Sequence, residues 1–426
     1  MPEQALTRFL QEHQAPEIRR LVLGFSGGLD STVLLHALSR VAARFGLPVL
    51  AVHVHHGLSP NADAWAQQAQ SHCSERAIPL QLHRVTVMEQ ASLEAAARDA
   101  RRRAFAQSLQ AGDALLLAQQ RDDQAETLLF RLFRGAGVKG LGAMPAVSVF
   151  KQDDSVAVPL WRPFLALSRA QLLAYARQHH LSWVEDESNR DTRFARNFLR
   201  QDIIPRLQQH WPAVQEVLAA TTQRLQEAET LLEEMAVELA SAAVDVQGRL
   251  DIVALQEHSL ARQKLLLRHW LQQGGLPLPD EALLEKILTE VVAAREDATP
   301  LLAWPGAELR RYRQQLHAMK PLQALPVGWC ADWDGQAVLR LPDGRELRLL
   351  SGSGPFHVNY RRGGERLQLA GQAHSRELKT LLQEQGVPPW ERDRLPLLWQ
   401  GDVLVAVIGT AWGRAEGAPV LELLPA

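Results

Sequence analysis

The stretch Phe25-Ser26-Gly27-Gly28-Leu29-Asp30-Ser31 closes the apolar run 21–25 (LVLGF) and opens an amphipathic segment over 30–45. It therefore reads as a strand, a glycine turn and a helix. Paired glycines reach backbone conformations closed to other residues and let amide groups approach a ligand. With the positive end of the following helix, such amides make an anion site. Ser26 and Ser31 add hydroxyl donors. Asp30 is out of place beside an anion unless a metal ion lies between them, which implies Mg²⁺.

Outward from the turn the same pattern repeats. Residues 48–54 (PVLAVHV), 80–87 (LQLHRVTV) and 114–118 (ALLLA) are strand-like, and 61–76, 92–111 and 121–134 carry helical periodicity. Such alternation predicts βαβ units, hence an α/β fold with a parallel sheet and helices on both faces. Ligands of these sheets bind at the carboxyl ends of the strands. Ser26, His53 to Gly57 and Gln119 to Asp123 fall there, so three strand ends are expected to share one crevice. His53, His55 and His56 read as polar residues lining it in preference to a zinc site.

The turn lacks the lysine and the spacing of G-x-x-x-x-G-K-[ST]. Its S-G-G-x-D-S pattern instead resembles the pyrophosphate loop of the N-type ATP pyrophosphatases, with an ordinary glycine turn as the plain alternative. The resemblance implies an adenine nucleotide alpha hydrolase-like domain that cleaves ATP between the α and β phosphates. It also implies adenylation of a carbonyl-type oxygen, followed by displacement of AMP by nitrogen or sulfur. ATP and Mg²⁺ are the cofactors so implied, with Ser26, Gly27, Gly28, Leu29, Asp30 and Ser31 around the phosphates. Sulfur-transferring members use cysteine pairs or iron–sulfur clusters. Here Cys73 and Cys330 are far apart in sequence and Cys73 falls in a helix, so an external amine is expected as nucleophile.

A second cluster, Gln119-Gln120-Arg121-Asp122-Asp123-Gln124-Ala125-Glu126-Thr127, precedes Leu132-Phe133-Arg134-Gly135-Ala136-Gly137. Asp122 and Glu126 share a helix face, with Asp123 adjacent. Acids in a first turn often only cap a helix and complement its dipole. At a strand end beside a phosphate loop they also suit Mg²⁺ and an ammonium group. Arg131 and Arg134 face phosphate or RNA, or pair with the acids one turn back.

These stretches resemble the tRNA(Ile)-lysidine synthase family. So do Glu185-Asp186-Glu187-Ser188-Asn189, Arg196-Asn197, and the run from Arg376-Glu377-Leu378-Lys379 through Pro388-Pro389-Trp390 to Leu398. The resemblance covers nearly the whole chain, with 211–320 contributing little. It implies ligation of free L-lysine to C2 of the wobble cytidine in isoleucine tRNA with a CAU anticodon. It further implies Asp30, Asp122, Asp123 and Glu126 as catalytic residues, Asp30 and Asp122 as metal ligands, and His53 and Arg98 beside the nucleotide.

Two positions depart from the family pattern. Members usually carry His-His where this chain has Gln119 and Gln120, and tend to have tyrosine where it has Arg102. Glutamine carries no proton at neutral pH, so a general base would have to be another group, such as Asp122, or water. A thiolase of the same superfamily and an RNA-binding protein with a relict nucleotide loop stay open as alternatives.

Candidate RNA contacts are local, because 46 Lys+Arg against 48 Asp+Glu leave a net charge of −2 and no global basic excess. Asn189, Arg193, Arg196, Asn197 and Arg200 form one basic stretch. Arg361, Arg362, Arg366, Arg376, Lys379, Arg392 and Arg394, interleaved with Tyr360 and Trp390, form another. Basic groups position a nucleic-acid backbone and aromatics offer stacking, although solvated faces would read alike. Glu94, Arg98 and Arg101 share a helix face, either as an internal ion-pair ladder or with Arg98 reaching phosphate.

With 46% hydrophobic and 22% charged residues, the 426-residue chain has the composition of folded domains. Three are expected: a catalytic domain over 1–210, a mostly helical tRNA-binding domain over 211–321 and a small α+β tRNA-binding domain over 322–426. The start Met1-Pro2-Glu3-Gln4 has no basic leader, and no apolar stretch approaches the ~20 residues of a membrane span. The chain reads as cytoplasmic with no membrane partner; a homodimer is left open.

Overall fold

The computed structural model describes residues 1–57, 59–85, 93–153, 155–295 and 298–424, with the side chains of 93–95 and 190 excepted. Residues 86, 87 and 92 of the expected elements, and the Glu94 side chain, lie outside this description. Contacts cluster into two units, 1–233 and 234–426.

In the first unit the chain runs through α1 (Pro2–His13), β1 (Arg20–Gly24), α2 (Leu29–Val41), β2 (Val49–His55), α3 (Ala62–Ser74), β3 (Leu80–Arg84), α4 (Leu93–Ser108), β4 (Asp113–Leu116) and α5 (Arg121–Leu132). After α6 (Val138–Leu141) come β5 (Val147–Phe150), β6 (Val158–Trp161), α7 (Arg169–Gln178), α8 (Ala195–Phe198), α9 (Ile204–His210) and α10 (Val214–Ala243), whose residues from 234 on belong to the second unit. The sheet order is β3-β2-β1-β4-β6-β5, parallel except for β5 at the edge. Successive residues of a strand face opposite sides of the sheet. Accordingly Leu21 and Leu23 join one core with Leu6, Leu34 and Leu172, while Val22 joins another with Val52, Phe105 and Leu115. Both faces of β1 are thus buried, which is why LVL shows no alternation.

The expected parallel sheet is present, and its order reverses direction at β1 and β4. A crevice opens at the carboxyl ends of strands at such a switch point. Three features were not anticipated. Helix α1 covers the sheet through Leu6 and Leu10. The β5–β6 hairpin extends it past β4. Pro205 lies within a continuous helical run from Ala195 to His210, just after a π-helical turn at Leu199–Ile203. A proline inside a helix removes one hydrogen bond of the ladder, and a π turn beside it is a common place for such an interruption to be absorbed.

The second unit holds two sheet systems. Leu250–Asp251, Gln315–Met319, Ala307–Tyr312 and Leu301–Trp304 form an antiparallel sheet in that order. Its core joins Leu309 and Leu316 to Leu266, Leu267 and Trp270 of the helix Leu260–Gln273. The mostly helical region expected over 211–321 does contain helices, but the strands over 301–319 were not expected in it. Their turn uses Gly306 at φ +85°, where a side chain would be strained. A second four-stranded sheet orders Cys330–Trp333, Phe356–Tyr360, Pro396–Gln400 and Val403–Val407. A three-stranded sheet and short helices, among them Leu378–Glu384, complete this α+β region. No helix among the described residues is long and apolar enough to cross a membrane.

Candidate active site

The turn between β1 and α2 is held by its own carbonyls. Gly27 takes φ +81°, and its carbonyl accepts from the Val184 amide at 2.9 Å and the Thr32 hydroxyl at 3.2 Å. The Ser31 hydroxyl donates to the Gly28 carbonyl at 3.0 Å and lies 3.0 Å from the Ser26 hydroxyl. Gly28 is the N-cap of α2 and offers no side chain to its first amides. A helix start of 13 residues without a side-chain cap keeps donors for an anion.

Beside this turn four carboxylates gather. Asp30 is largely buried, its Oδ1 has no hydrogen-bond partner, and its Oδ2 lies 3.7 Å from Arg169. Burial, with Asp123 and Asp122 nearby, pushes its pKa up to about 7 against the pull of Arg169 and Arg200. Asp122 also has a buried, unpartnered Oδ1, and burial raises its pKa. Glu126, 3% exposed, is raised by burial and held by two hydrogen bonds from Arg200, at 2.6 and 2.8 Å. Arg200 reaches Asp123 as well, at 3.1 Å. Asp123 accepts from the Gln120 amide at 3.0 Å, and the Gln120 side chain accepts from the Asp122 amide at 2.8 Å. That reciprocal pair is a capping box, which explains how Gln120 is buried at 1% exposure without a proton to carry.

Mg²⁺ takes oxygen ligands and is commonly bound through one or two carboxylates plus phosphate and water. The orphaned oxygens of Asp30 and Asp122 fit that donor set. Among the described residues no three His, Cys, Asp or Glu side chains form a closed metal cage. Such an ion would therefore need oxygens from a phosphate ligand.

The histidines divide. His53 Nδ1 lies 2.9 Å from the Phe25 carbonyl; burial lowers its pKa, so the neutral ring donates from Nδ1 and leaves Nε2 as an acceptor. His55 lies 3.2 Å from Asp63, and His56 is pulled down to about 4 by burial and by Arg101. Arg98 is exposed on α4; burial lowers the pKa values of Arg101, Arg131 and Arg162, and the Arg98 charge adds to each. Cys73 is fully buried with its thiol pushed up to about 11, an environment that suppresses thiolate chemistry.

The candidate tRNA residues are placed very differently. Arg193 is exposed and pairs with Asp191, Arg196 stacks toward Phe130, and Arg200 is locked into the carboxylate cluster. In the second unit Arg361 lies between Glu365 and Asp393, Arg376 pairs with Glu384, and Lys379 is exposed. Arg392 donates to the Val387 carbonyl and the Tyr312 hydroxyl, and Arg394 to the Gln323 carbonyl. Trp390 is half-buried, with His317 at 5.1 Å, Tyr312 at 6.2 Å and Arg310 at 5.2 Å from its ring.

Arg169 and Val184 were missed. The Ser168-x-x-Gln171 capping box does mark the start of α7, and so the place of Arg169, but nothing local joins it to Asp30. Asn197 holds the loop before α8 through the carbonyls of Ser188 and Asp191, a backbone role that its residue type alone does not reveal.

Comparison with known proteins is consistent along the chain. A PP-loop domain model matches residues 1–207, a TilS substrate binding domain residues 250–317, and a TilS substrate C-terminal domain residues 356–420. A tRNA(Ile)-lysidine synthase of Xanthomonas axonopodis pv. citri is 44% identical over 93% of this chain and 92% of its own length. Enzymes of the same name from Pseudomonas fluorescens (45%, over 90% and 88%) and Pseudomonas aeruginosa (44%, over 96% and 94%) are similar to the same extent. With a pyrophosphate-loop domain ahead of both substrate domains, and relatives this similar from end to end, the chain belongs to the tRNA(Ile)-lysidine synthase family.

Proposed function

We propose that this protein ligates L-lysine to C2 of the wobble cytidine of isoleucine tRNA with a CAU anticodon, forming lysidine with release of AMP and pyrophosphate. The observation that carries the reading is the pair of buried, unpartnered oxygens on Asp30 and Asp122 beside the glycine turn. Such oxygens are costly unless a ligand satisfies them.

ATP lies with its phosphates over Ser26 to Ser31, and His53 Nε2 and Arg98 face the nucleotide. Asp30 and Asp122 would hold Mg²⁺, which when bound neutralises charge building on the leaving pyrophosphate. The cytidine O2 attacks the α-phosphorus and the bond to the β-phosphate oxygen breaks. The first amides of α2 and the hydroxyls of Ser26 and Ser31 stabilise the departing charge. The lysine ε-amine then attacks C2, and AMP leaves with the oxygen. Asp123 and Glu126 carry the charge that suits the lysine ammonium, so lysine enters as a competitor of Arg200. Neither Gln119 nor Gln120 can take a proton, so the amine loses its proton to a carboxylate of raised pKa or to water. Such a protein works in the cytoplasm, where tRNA, ATP and free lysine meet.

The test is pyrophosphate release from Mg-ATP and this tRNA, with and without lysine, followed by nucleoside mass spectrometry. A lysine-adduct cytidine is expected. Release of pyrophosphate without the adduct would remove lysine as nucleophile, and no release at all would remove the adenylation step.

A further inference from the structure

Helix α5 carries more than the carboxylates at its start. Glu126, Phe130 and Phe133 follow one another at spacings of four and three residues, so they share one face of the helix and its cap, and Arg134 follows in the turn beyond. A second helical run lies against that face. Arg200 grips Glu126, and four residues earlier Arg196 stands 5.9 Å from the centre of the Phe130 ring. Arg134 approaches the same ring at 5.0 Å. Phe130 is anchored from below by the cluster of Leu129, Leu199 and Ile204, whereas Phe133 is 71% exposed. Neither Arg134 nor Arg196 is ion-paired to a described carboxylate.

The run from Asp123 to Arg134 rises about 16 Å at 1.5 Å per residue, several times the ~3.4 Å spacing of phosphates along a stacked strand. It starts at the reacting carboxylates, passes Phe130 with the guanidiniums of Arg134 and Arg196 over its ring, and ends on the exposed ring of Phe133. Aromatic faces stack on unpaired bases, and guanidiniums take backbone phosphates. We propose that Phe133, Arg134 and Arg196 form a docking strip for the single-stranded anticodon-loop nucleotides next to the reacting cytidine, with a base on Phe133 and phosphates on the two arginines. The proposal rests on the reading of the substrate as that tRNA. Bound ATP is the other source of phosphate, and the test separates the two.

The full-length protein and its F133A, F133W and R134E variants are compared for binding of a labelled anticodon stem-loop RNA and for KM of tRNA and of ATP. F133A is expected to weaken RNA binding and raise the tRNA KM about 5- to 100-fold, with the ATP KM within about twofold and F133W largely restoring both. R134E should weaken binding and flatten its dependence on salt. Exposure of Phe133 predicts that F133A melts like the parent protein. Equal RNA binding by F133A and the parent overturns the strip, and so does an ATP KM that rises in step with the tRNA KM. Phe133-dependent RNA binding by a protein that forms no lysidine keeps the strip and removes the functional reading. Lysidine formation with Phe133-independent binding does the reverse.

Discussion

The candidate RNA-contacting arginines of the second unit are mostly engaged by their own fold, whereas those of the first unit divide, Arg193 and Arg200 into ion pairs and Arg134 and Arg196 onto an aromatic ring. In the second unit Arg361, Arg392 and Arg394 are engaged by Glu365, the Val387 carbonyl and the Gln323 carbonyl, Arg376 pairs with Glu384 at the surface, and Trp390 is packed among Tyr312, His317 and Arg310. In the first unit the polar groups around α5 are left unfinished. Asp30 and Asp122 have orphaned oxygens, and Arg134 and Arg196 have only an aromatic ring. Single buried polar atoms without a hydrogen-bond partner also occur in the second unit, at Trp390 Nε1, Tyr360 Oη and Arg361 Nε. Asp30 and Asp122 differ in being two neighbouring carboxylates left unanswered beside the start of a helix, where a cation and a phosphate would complete them. A satisfied arginine mainly holds a chain segment in place.

The largest effect is expected at Asp30. D30N should lower turnover by about 10³-fold or more, since one ligand of the cation and its charge are lost together. The same change should stabilise the ligand-free protein. The folded pKa of Asp30, about 7, lies above its ordinary 3.8, so its ionisation costs no stability below about pH 4, an increasing amount up to pH 7, and the full amount above. The gap in melting temperature between D30N and the parent should therefore widen from pH 4 to pH 7 and then level. A gap independent of pH would place the shifted group elsewhere.

R200A comes next. Removing the guanidinium leaves Glu126 buried without a partner, and its pKa should climb further. Breaking a fully buried pair costs about 3–5 kcal/mol; here the solvent-facing side of Arg200 reduces that to about 1–3 kcal/mol. Urea unfolding reads it, and an unchanged midpoint would show that the pair does not support the fold.

W390A sharpens the contrast. If the ring is structural, truncation should cost about 1–3 kcal/mol through lost aromatic and cation–π contacts, with W390F recovering part of it. A loss of tRNA affinity with no change in stability would move Trp390 to the RNA-facing class. R376A should do least, because its pair with Glu384 is exposed and the melting curve should not move.

Much of the first unit was legible because its signals are local. Strand, glycine turn and helix follow directly from residues 21–45, and the acids of α5 lie within five positions of one another. Gln120 was legible as a departure from the family but not as a cap, since a glutamine N-cap is an unusual choice whose partner is visible only in the folded helix start. The strands of 301–319 were hidden because a run of helices precedes them and their alternation is partial, with Ala307, Glu308 and Leu309 buried in succession. Glu308 is an acid buried inside a strand and paired with Arg310 two residues on, a pattern that hydropathy alone reads as surface.

By itself the sequence determined the chemistry on offer: a phosphate-binding turn, a set of carboxylates on one helix, and no thiol placed to act. These depend on neighbours in the chain and on the 3.6 and 2.0 periods of helix and strand. Only the tertiary structure decided which charges are answered. Arg169 meets Asp30 and Arg200 meets Glu126 across separations of 139 and 74 residues, and no local pattern encodes such pairings. Whether a guanidinium binds substrate or merely holds its own fold depends on what lies within about 4 Å of it, and packing alone sets that distance.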